Sequence, residues 1–230
     1  MRYLIVEGIT DVSLVKYICV QKKITDKFNE FELQKSRIKV DEKREVEIEL
    51  YVNSIKNLTI INATGQNNLE IILREIIRPM EIKVDRVGII QDADNDFLLS
   101  LDTIKNAIDN SGIDQHIIDR EEDIFLMPDN KNVGDLETLL LSTIEGTTIV
   151  NCFDSYKQCL QNNQEIHPKA LNKGQVYAYT MYSQSGKNLY KPQDSFMHKK
   201  NKKYQDTGLW DINKDEFKPI VDFVVNIFKE

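Results

Sequence analysis

The sequence predicts an α/β protein built on a mainly parallel sheet, and three observations support this. Short runs of β-forming apolar residues recur along the chain, polar turns end them, and amphipathic helical patterns separate most of them. Strands that alternate with helices in this way form parallel sheets covered by helices on both faces. The chain has 230 residues, of which 41% are hydrophobic and 29% charged, which suits one domain with its own core. We therefore predict a single domain over residues 1–230 with a sheet of about four strands.

The first predicted unit is a strand followed by a helix and a charged insertion. Residues 3–6 form an apolar run that ends at Glu7-Gly8, which is typical of a buried strand. Apolar residues then recur at helical spacing from Val12 to Cys19, which predicts the first helix. From about 21 to 55 the chain is highly charged, and residues 45–51 alternate apolar and acidic side chains. This alternation predicts a strand with one wet face, and we interpret the segment as an insertion, a hairpin being one form that it could take.

Three more buried strands and four helices complete the predicted order. The strands are apolar runs that end in polar turns, at residues 58–61, 87–90 and 124–127. The helices are segments with apolar residues at helical spacing, at residues 69–77, 98–108, 135–144 and about 216–228. Helices between successive strands are the connections that a parallel sheet requires.

A basic and aromatic segment, residues 167–204, contrasts with the net charge of −7. It contains eight lysines and one acid, so its charge of +7 leaves −14 on the rest of the chain. Five tyrosines and one phenylalanine are interleaved with the lysines. Such a segment could hold phosphates and stack bases, which would make DNA or RNA the partner. A solvated loop whose lysines only keep it soluble is also typical of charge runs, and the sequence leaves both interpretations open.

Composition and targeting signals argue against several classes of protein. No apolar run approaches the roughly 18–20 residues of a membrane helix. The N-terminal residues lack the length and the cleavage site of a signal peptide, so we expect a cytoplasmic protein without membrane contact. Cys19, Cys152 and Cys159 form no Cys-x-x-Cys pair, which predicts reduced thiols rather than disulfides or zinc ligands.

Carboxylates follow two of the predicted strands directly. Glu7 ends the first strand, Asp92 ends the third, and Asp94 follows two residues later. In an open parallel sheet these ends meet at one edge, and Asp94 points to the same side as Asp92 where the chain stays extended. Grouped carboxylates repel each other, and a divalent cation such as Mg²⁺ or Mn²⁺, which prefers oxygen ligands, relieves that conflict. The alternative is an Asp-rich turn without metal, and for Asp96 we predict a helix N-cap.

Two acidic motifs and two later segments carry a resemblance to a known family. The chain has Val6-Glu7-Gly8-Ile9-Thr10-Asp11 at its first strand and Asp92-Ala93-Asp94 at a strand end about eighty residues later. This pair resembles the Toprim domain, the catalytic module of topoisomerases, primases, small RNA-maturation nucleases and OLD-family nucleases. The segment from Met127 to Leu140 and the Gly-Leu-Trp-Asp at 208–211 resemble small stand-alone Toprim-like proteins related to the OLD nucleases, which include a family of unknown function.

The resemblance implies a Rossmann-like fold and Mg²⁺- or Mn²⁺-dependent chemistry on the phosphodiesters of nucleic acid. It implies five metal-binding carboxylates, which are Glu7, Asp11, Asp92, Asp94 and Glu137. Two of them, Glu7 and Asp92, are also implied to be catalytic. A catalytic lysine is implied late in the domain, and both Lys169 and Lys173 fit, with the apolar run at 176–179 slightly favouring Lys173. From the residues alone, Asp11 and Glu137 also suit the first turn of a helix, where a negative charge is favourable.

These observations lead to three functional hypotheses. The first is an OLD-like Toprim nuclease in which two cations activate water and stabilise the leaving oxygen. Its nucleic-acid contacts are assigned to Lys187, Lys191, Lys199, Lys200, Lys202 and Lys203. OLD nucleases carry an ATPase, and because the sequence lacks a P-loop motif, the resemblance implies that any ATPase would be a separate partner encoded nearby. The alternative is a non-catalytic or regulatory Toprim-like module that binds nucleic acid or a partner in a defence system, and the third is nucleotidyl transfer as in primases.

Overall fold

Strands and helices alternate along most of the chain in this computed structural model, which describes residues 1–40, 42, 44–144, 146–161, 168–183 and 210–229. The strands are β1 (Arg2–Val6), β2 (Glu32–Lys39), β3 (Glu45–Asn53), β4 (Leu58–Asn62), β5 (Arg86–Asp92) and β6 (Ile124–Met127). The helices are α1 (Ile9–Gln21), α2 (Leu69–Ile72), α3 (Phe97–Ser111), α4 (Leu136–Ser142), α5 (Thr148–Gln161), α6 (Pro168–Ser183) and α7 (Lys218–Phe228). The protein is therefore an α/β protein, as its sequence predicts.

The described sheet has six strands in the order β2-β3-β4-β1-β5-β6. Its neighbours β4, β1, β5 and β6 are parallel, and Val6 of β1 pairs with Asn62 of β4 and with Ile90 of β5. β4 lies on one side of β1 and β5 lies on the other, so the strand order reverses at β1. In open α/β sheets, ligands bind beyond the carboxyl ends of the strands at such a reversal.

The charged segment after α1 forms the antiparallel hairpin β2–β3, and β3 pairs antiparallel with β4. β3 confirms the strand predicted at residues 45–51 and the hairpin form of the insertion, and the sheet has six strands rather than about four as predicted. The sequence does not predict β2, because only Ile38 of its eight residues is buried and no alternation marks its faces. An edge strand with so little burial carries almost no hydrophobic signal.

Helices cover both faces of the central strands. On one face α1, α4 and α7 share a hydrophobic cluster with Leu4, and on the other α2 and α3 share a second cluster with Ile5. Helix α7 approaches β5 so closely that Gly88 has no room for a side chain. A Cβ atom there would lie 2.8 Å from Cγ1 of Ile227 and 2.9 Å from Cδ1 of Leu4. Gly88 therefore allows the close packing of α7 on the sheet.

The helices follow the predicted pattern except for α5 and α6. α2 ends at Ile72 and continues as a π-helical turn to Ile77, within the predicted 69–77 helix. α5 and α6 occupy segments where the sequence predicts no helix, and α6 takes up residues 168–183 of the basic segment. Val176 and Thr180 of α6 are buried, so a solvated loop is the wrong interpretation for that part. None of the helices in the described part of the chain is long and apolar enough to cross a membrane.

Candidate functional site

A pocket of about 420 Å³ opens at the carboxyl edge of the parallel strands, where the strand order reverses. It is formed by the segments that follow β1, β4 and β5 together with the start of α4 and one residue of α6. Its lining residues are Glu7, Gly8, Ile9, Thr10, Asp11, Asn62, Thr64, Gly65, Asp92, Leu136, Glu137 and Lys173. Four of the five predicted carboxylates therefore face one pocket.

Glu7 follows the last residue of β1 and reaches toward the end of β5. Its Oε2 accepts a hydrogen bond of 3.3 Å from Nε2 of Gln66 and a long one of 3.4 Å from the backbone N–H of Asp92. Its backbone carbonyl accepts a 3.0 Å bond from the N–H of Gly65. Glu7 thus joins the ends of three neighbouring strands.

Asp11 serves both the helix and the pocket. Its Oδ2 accepts a 2.8 Å hydrogen bond from the N–H of Gly8, which satisfies a backbone donor just before α1. The carboxyl is buried, and this burial raises its pKa well above the usual range, whereas the bond from Gly8 opposes the rise. Neighbouring carboxylates raise it further, and they belong to Asp92, Glu7 and Glu137. Asp11 therefore both stabilises the start of α1 and lines the pocket.

Asp92 is the last residue of β5, and its carboxylate bridges to the start of α4. Its Oδ1 accepts a 3.2 Å hydrogen bond from the N–H of Leu136. The start of α4 is capped separately, because Asp135 accepts a 2.8 Å bond from the N–H of Thr138. This arrangement fixes the direction of the Asp92 side chain at the pocket wall.

Asp94 lies next to the pocket but does not line it. The chain is not extended there, since Asp94 has a φ of 51°, so the alternation that would align it with Asp92 does not apply. Its N–H donates a 2.8 Å bond to the carbonyl of Gly134, and its Oδ2 accepts a 2.8 Å bond from Nε2 of Gln66. Asp94 therefore connects to the site through Gln66. The predicted N-cap at Asp96 is confirmed by a 3.0 Å bond from the N–H of Leu99.

Glu137 of α4 and Lys173 of α6 are the helix residues with ionisable side chains that face each other in the pocket lining. Nζ of Lys173 lies 4.0 Å from Oε1 of Glu137, and the lysine side chain is 47% exposed. Burial raises the pKa of Glu137, the ammonium of Lys173 opposes the rise, and the neighbouring carboxylates Asp135 and Asp92 add to it. Lys173 is thus the pocket lysine of α6. The side chain of Lys169 lies outside the described part of the chain, as do the six lysines from 187 to 203.

The sequence does not predict the contribution of the turn after β4. Asn62, Thr64 and Gly65 line the pocket, and Gln66 contacts two of the acidic residues. Oδ1 of Asn62 accepts a 3.0 Å bond from the N–H of Thr64, which shapes this turn. The signal is the polar run that follows a buried strand at the same edge, which is the argument used for Glu7 and Asp92.

The donor chemistry of the pocket fits a divalent cation. It supplies only oxygen ligands with high negative charge. Burial is the main cause of the raised pKa values of Asp11 and Glu137, and neighbouring carboxylates add to it by a repulsion that a cation would relieve. Within the described ranges, however, no three His, Cys, Asp or Glu side chains already lie close enough to hold a metal ion. Binding would require side chains around the pocket to turn inward.

Comparison with known proteins identifies one family. A family model described as a protein of unknown function (DUF3226) matches residues 1–229. No curated protein and no solved structure matches the chain.

Proposed function

Because the chain belongs to DUF3226, a family described as of unknown function, we infer its activity from the site and propose a metal-dependent nuclease of the Toprim type, similar to the OLD nucleases. The observation that carries this proposal is the convergence of four carboxylates and a lysine on one pocket at the strand-order reversal. A pocket that served only structure would not require so many ionisable groups around open space.

The proposed cation ligands are the four pocket carboxylates, which are Glu7, Asp11, Asp92 and Glu137. When bound, Mg²⁺ or Mn²⁺ supplies a Lewis acid for the phosphodiester and a nucleophilic water at neutral pH. Asp94 contributes through Gln66, which ties it to Glu7. Because metal binding requires ionised carboxylates, the raised pKa values of Asp11 and Glu137 would make the binding of a cation weaker as the pH falls.

Other residues of the pocket orient the substrate and the ligands. Lys173 is the only positively charged residue among those that line the pocket in the described structure. We assign it to a phosphate oxygen, where its ammonium offsets the charge that develops during cleavage. The N–H of Leu136 and the amide of Gln66 hold Asp92 and Glu7 in place.

The basic residues of 187–203 are proposed to bind the nucleic-acid backbone. Their charge is concentrated in a chain that is otherwise acidic, so their attraction for phosphate would be local. A cytoplasmic location and a separate ATPase partner remain proposals that accompany this one.

Two conservative substitutions test the nuclease. Glu7→Gln and Asp92→Asn each remove one anionic ligand and preserve side-chain volume, so we expect each to reduce Mn²⁺-dependent cleavage by several orders of magnitude. Asp96→Asn is the matched control, because asparagine also caps helices and Asp96 caps α3 outside the pocket. The substrates are nicked and single-stranded DNA and RNA, and circular dichroism checks that each variant folds.

Failure of this test favours a different class of protein. If the wild-type chain cleaves none of these substrates with Mg²⁺ or Mn²⁺, alone or with the product of a neighbouring gene, the nuclease proposal is wrong. Equal cleavage by wild type and both variants would also overturn it. The alternative is a non-catalytic module that binds nucleic acid or a partner.

A further inference from the structure

One amide group lies between two carboxylates that come from different strand ends. Nε2 of Gln66 is 2.8 Å from Oδ2 of Asp94 and 3.3 Å from Oε2 of Glu7. An amide NH₂ has two hydrogens, so it can donate to both acceptors at once. Bonds to ionised acceptors are about twice as strong as neutral ones, and they draw the two carboxylates toward the same point.

The backbone holds Gln66 in this position. The N–H of Gly65 donates a 3.0 Å bond to the carbonyl of Glu7, so the turn after β4 is tied to the same residue that its side chain contacts. Thr64 has a φ of 55° and Gly65 a φ of 122°, and these unusual values direct the chain from β4 into the turn that starts at Gln66. The amide is therefore held between Glu7 and Asp94 by the fold of the turn.

Glu7 is one of the four carboxylates that would hold a divalent cation, whereas Asp94 lies outside the pocket lining. Resting on the metal site of the proposed function, we propose that Gln66 is a positioning residue that is anchored on Asp94 and holds the carboxylate of Glu7. Its amide neutralises part of the charge of Glu7 in the metal-free protein and would release Glu7 to a cation. Gln66 thereby lowers the affinity for metal and keeps the empty site folded.

This role makes a prediction that a purely structural role does not. Gln66→Met keeps the length of the side chain but removes the donor, so the metal-free protein should melt at a lower temperature. Because the hydrogen bond from the amide to Glu7 no longer has to be broken, Mn²⁺ should bind about tenfold more tightly than in wild type, which is the effect of about one hydrogen bond to a charged group. The rise in melting temperature on adding Mn²⁺ should therefore be larger in the variant.

Gln66→Glu provides an independent variant of nearly the same shape. It replaces the donor by a third carboxylate, so repulsion should lower the metal-free melting temperature, and Mn²⁺ should restore it. Gln115→Met is the matched control, because Gln115 is exposed and does not line the pocket. We expect the control to leave both the melting temperature and the affinity for Mn²⁺ unchanged.

Calorimetric titration with MnCl₂ and thermal melting with and without Mn²⁺ give the readouts. Tighter binding and a larger metal-dependent shift in both Gln66 variants support the inference. Equal affinities, or melting temperatures that fall by the same amount with and without Mn²⁺, overturn it while leaving the metal site intact. If wild type binds no Mn²⁺, the inference and the metal-dependent function are both wrong. If the variants bind more tightly but the wild-type protein cleaves nothing, only the nuclease is wrong.

Discussion

Lys16 is a buried cation whose titration tests the electrostatics of this fold. It lies on α1, is 7% exposed, and its Nζ is 3.9 Å from the ring centre of Tyr51. The rings of Phe28 and Phe31 lie at 5.4 Å and 5.5 Å. Burial lowers the pKa of Lys16 from 10.5 to about 8, although nearby Cys19 and Glu49 act in the opposite direction. The contacts of the ammonium with the aromatic rings replace only part of the hydration that it loses on burial.

The lowered pKa gives a definite sign to the pH dependence. Below pH 8 both the folded and the unfolded chain keep the proton on Lys16, so stability does not change with pH through this group. Between about pH 8 and 10.5 the unfolded chain binds more protons than the folded one, so the free energy of unfolding rises with pH. From about pH 7.5 to about pH 10 the titration of Lys16 raises the free energy of unfolding by about 2.5 kcal/mol, since a tenfold difference in proton affinity is worth about 1.4 kcal/mol.

Lys16→Met removes this gain because it removes the titrating group. We expect urea unfolding at both pH values to show that wild type gains about 2.5 kcal/mol relative to the variant as the pH rises. The comparison cancels the titration of other lysines and tyrosines. Lys16→Arg is the control of similar length, and because arginine stays charged it should also lack the gain. A stability difference between wild type and Lys16→Met that is the same at both pH values would refute the reasoning.

Three further predictions address packing, metal binding and nucleic-acid binding. Gly88→Ala should destabilise the protein by about 1–3 kcal/mol in urea unfolding, whereas Gly174→Ala on α6, where a Cβ meets no atom within 4 Å, should stabilise it by about 0.5–1 kcal/mol. Because burial raises the pKa of Asp11, lowering the pH should protonate it and weaken Mn²⁺ binding in calorimetry, and Asp11→Asn should flatten that dependence. The slope of log affinity for nucleic acid against log salt should become smaller when four lysines are replaced by alanine, namely Lys199, Lys200, Lys202 and Lys203. An unchanged slope would mean that these lysines belong only to a solvated loop.

The sequence predicts the parallel core because its signal is strong and local. Strands such as β4, which is buried along its full length, need continuous apolar runs, and those runs are visible without any knowledge of neighbours. β2 is an exposed edge strand that exists because β3 pairs with it, and pairing leaves little trace in the sequence. α5 and α6 also leave little trace in the sequence, because their composition is mixed and only a few of their residues, such as Val176, reach the core.

The site could be predicted in part for the same reason. Glu7 and Asp92 can be predicted as site residues because each ends an apolar run, and the ends of parallel strands meet at one edge. The sequence does not reveal that the chain turns to a φ of 51° at Asp94, so that this residue contacts Gln66 and is not among the residues that line the pocket. It also does not reveal Gln66, because an amide in a turn has no periodic pattern and acquires its role only when β1, β4 and β5 lie side by side.

The location of Mn²⁺ in crystals soaked with MnCl₂ tests the central claim most directly, because anomalous scattering identifies the ion and its ligands together. We expect one or two peaks in the pocket, with carboxylate oxygens of Glu7 and Asp92 within about 2.6 Å. We also expect the peaks to weaken or vanish in crystals of Asp92→Asn. A pocket without a peak at millimolar Mn²⁺, or a peak held only by residues elsewhere, would show that the pocket is not a metal site.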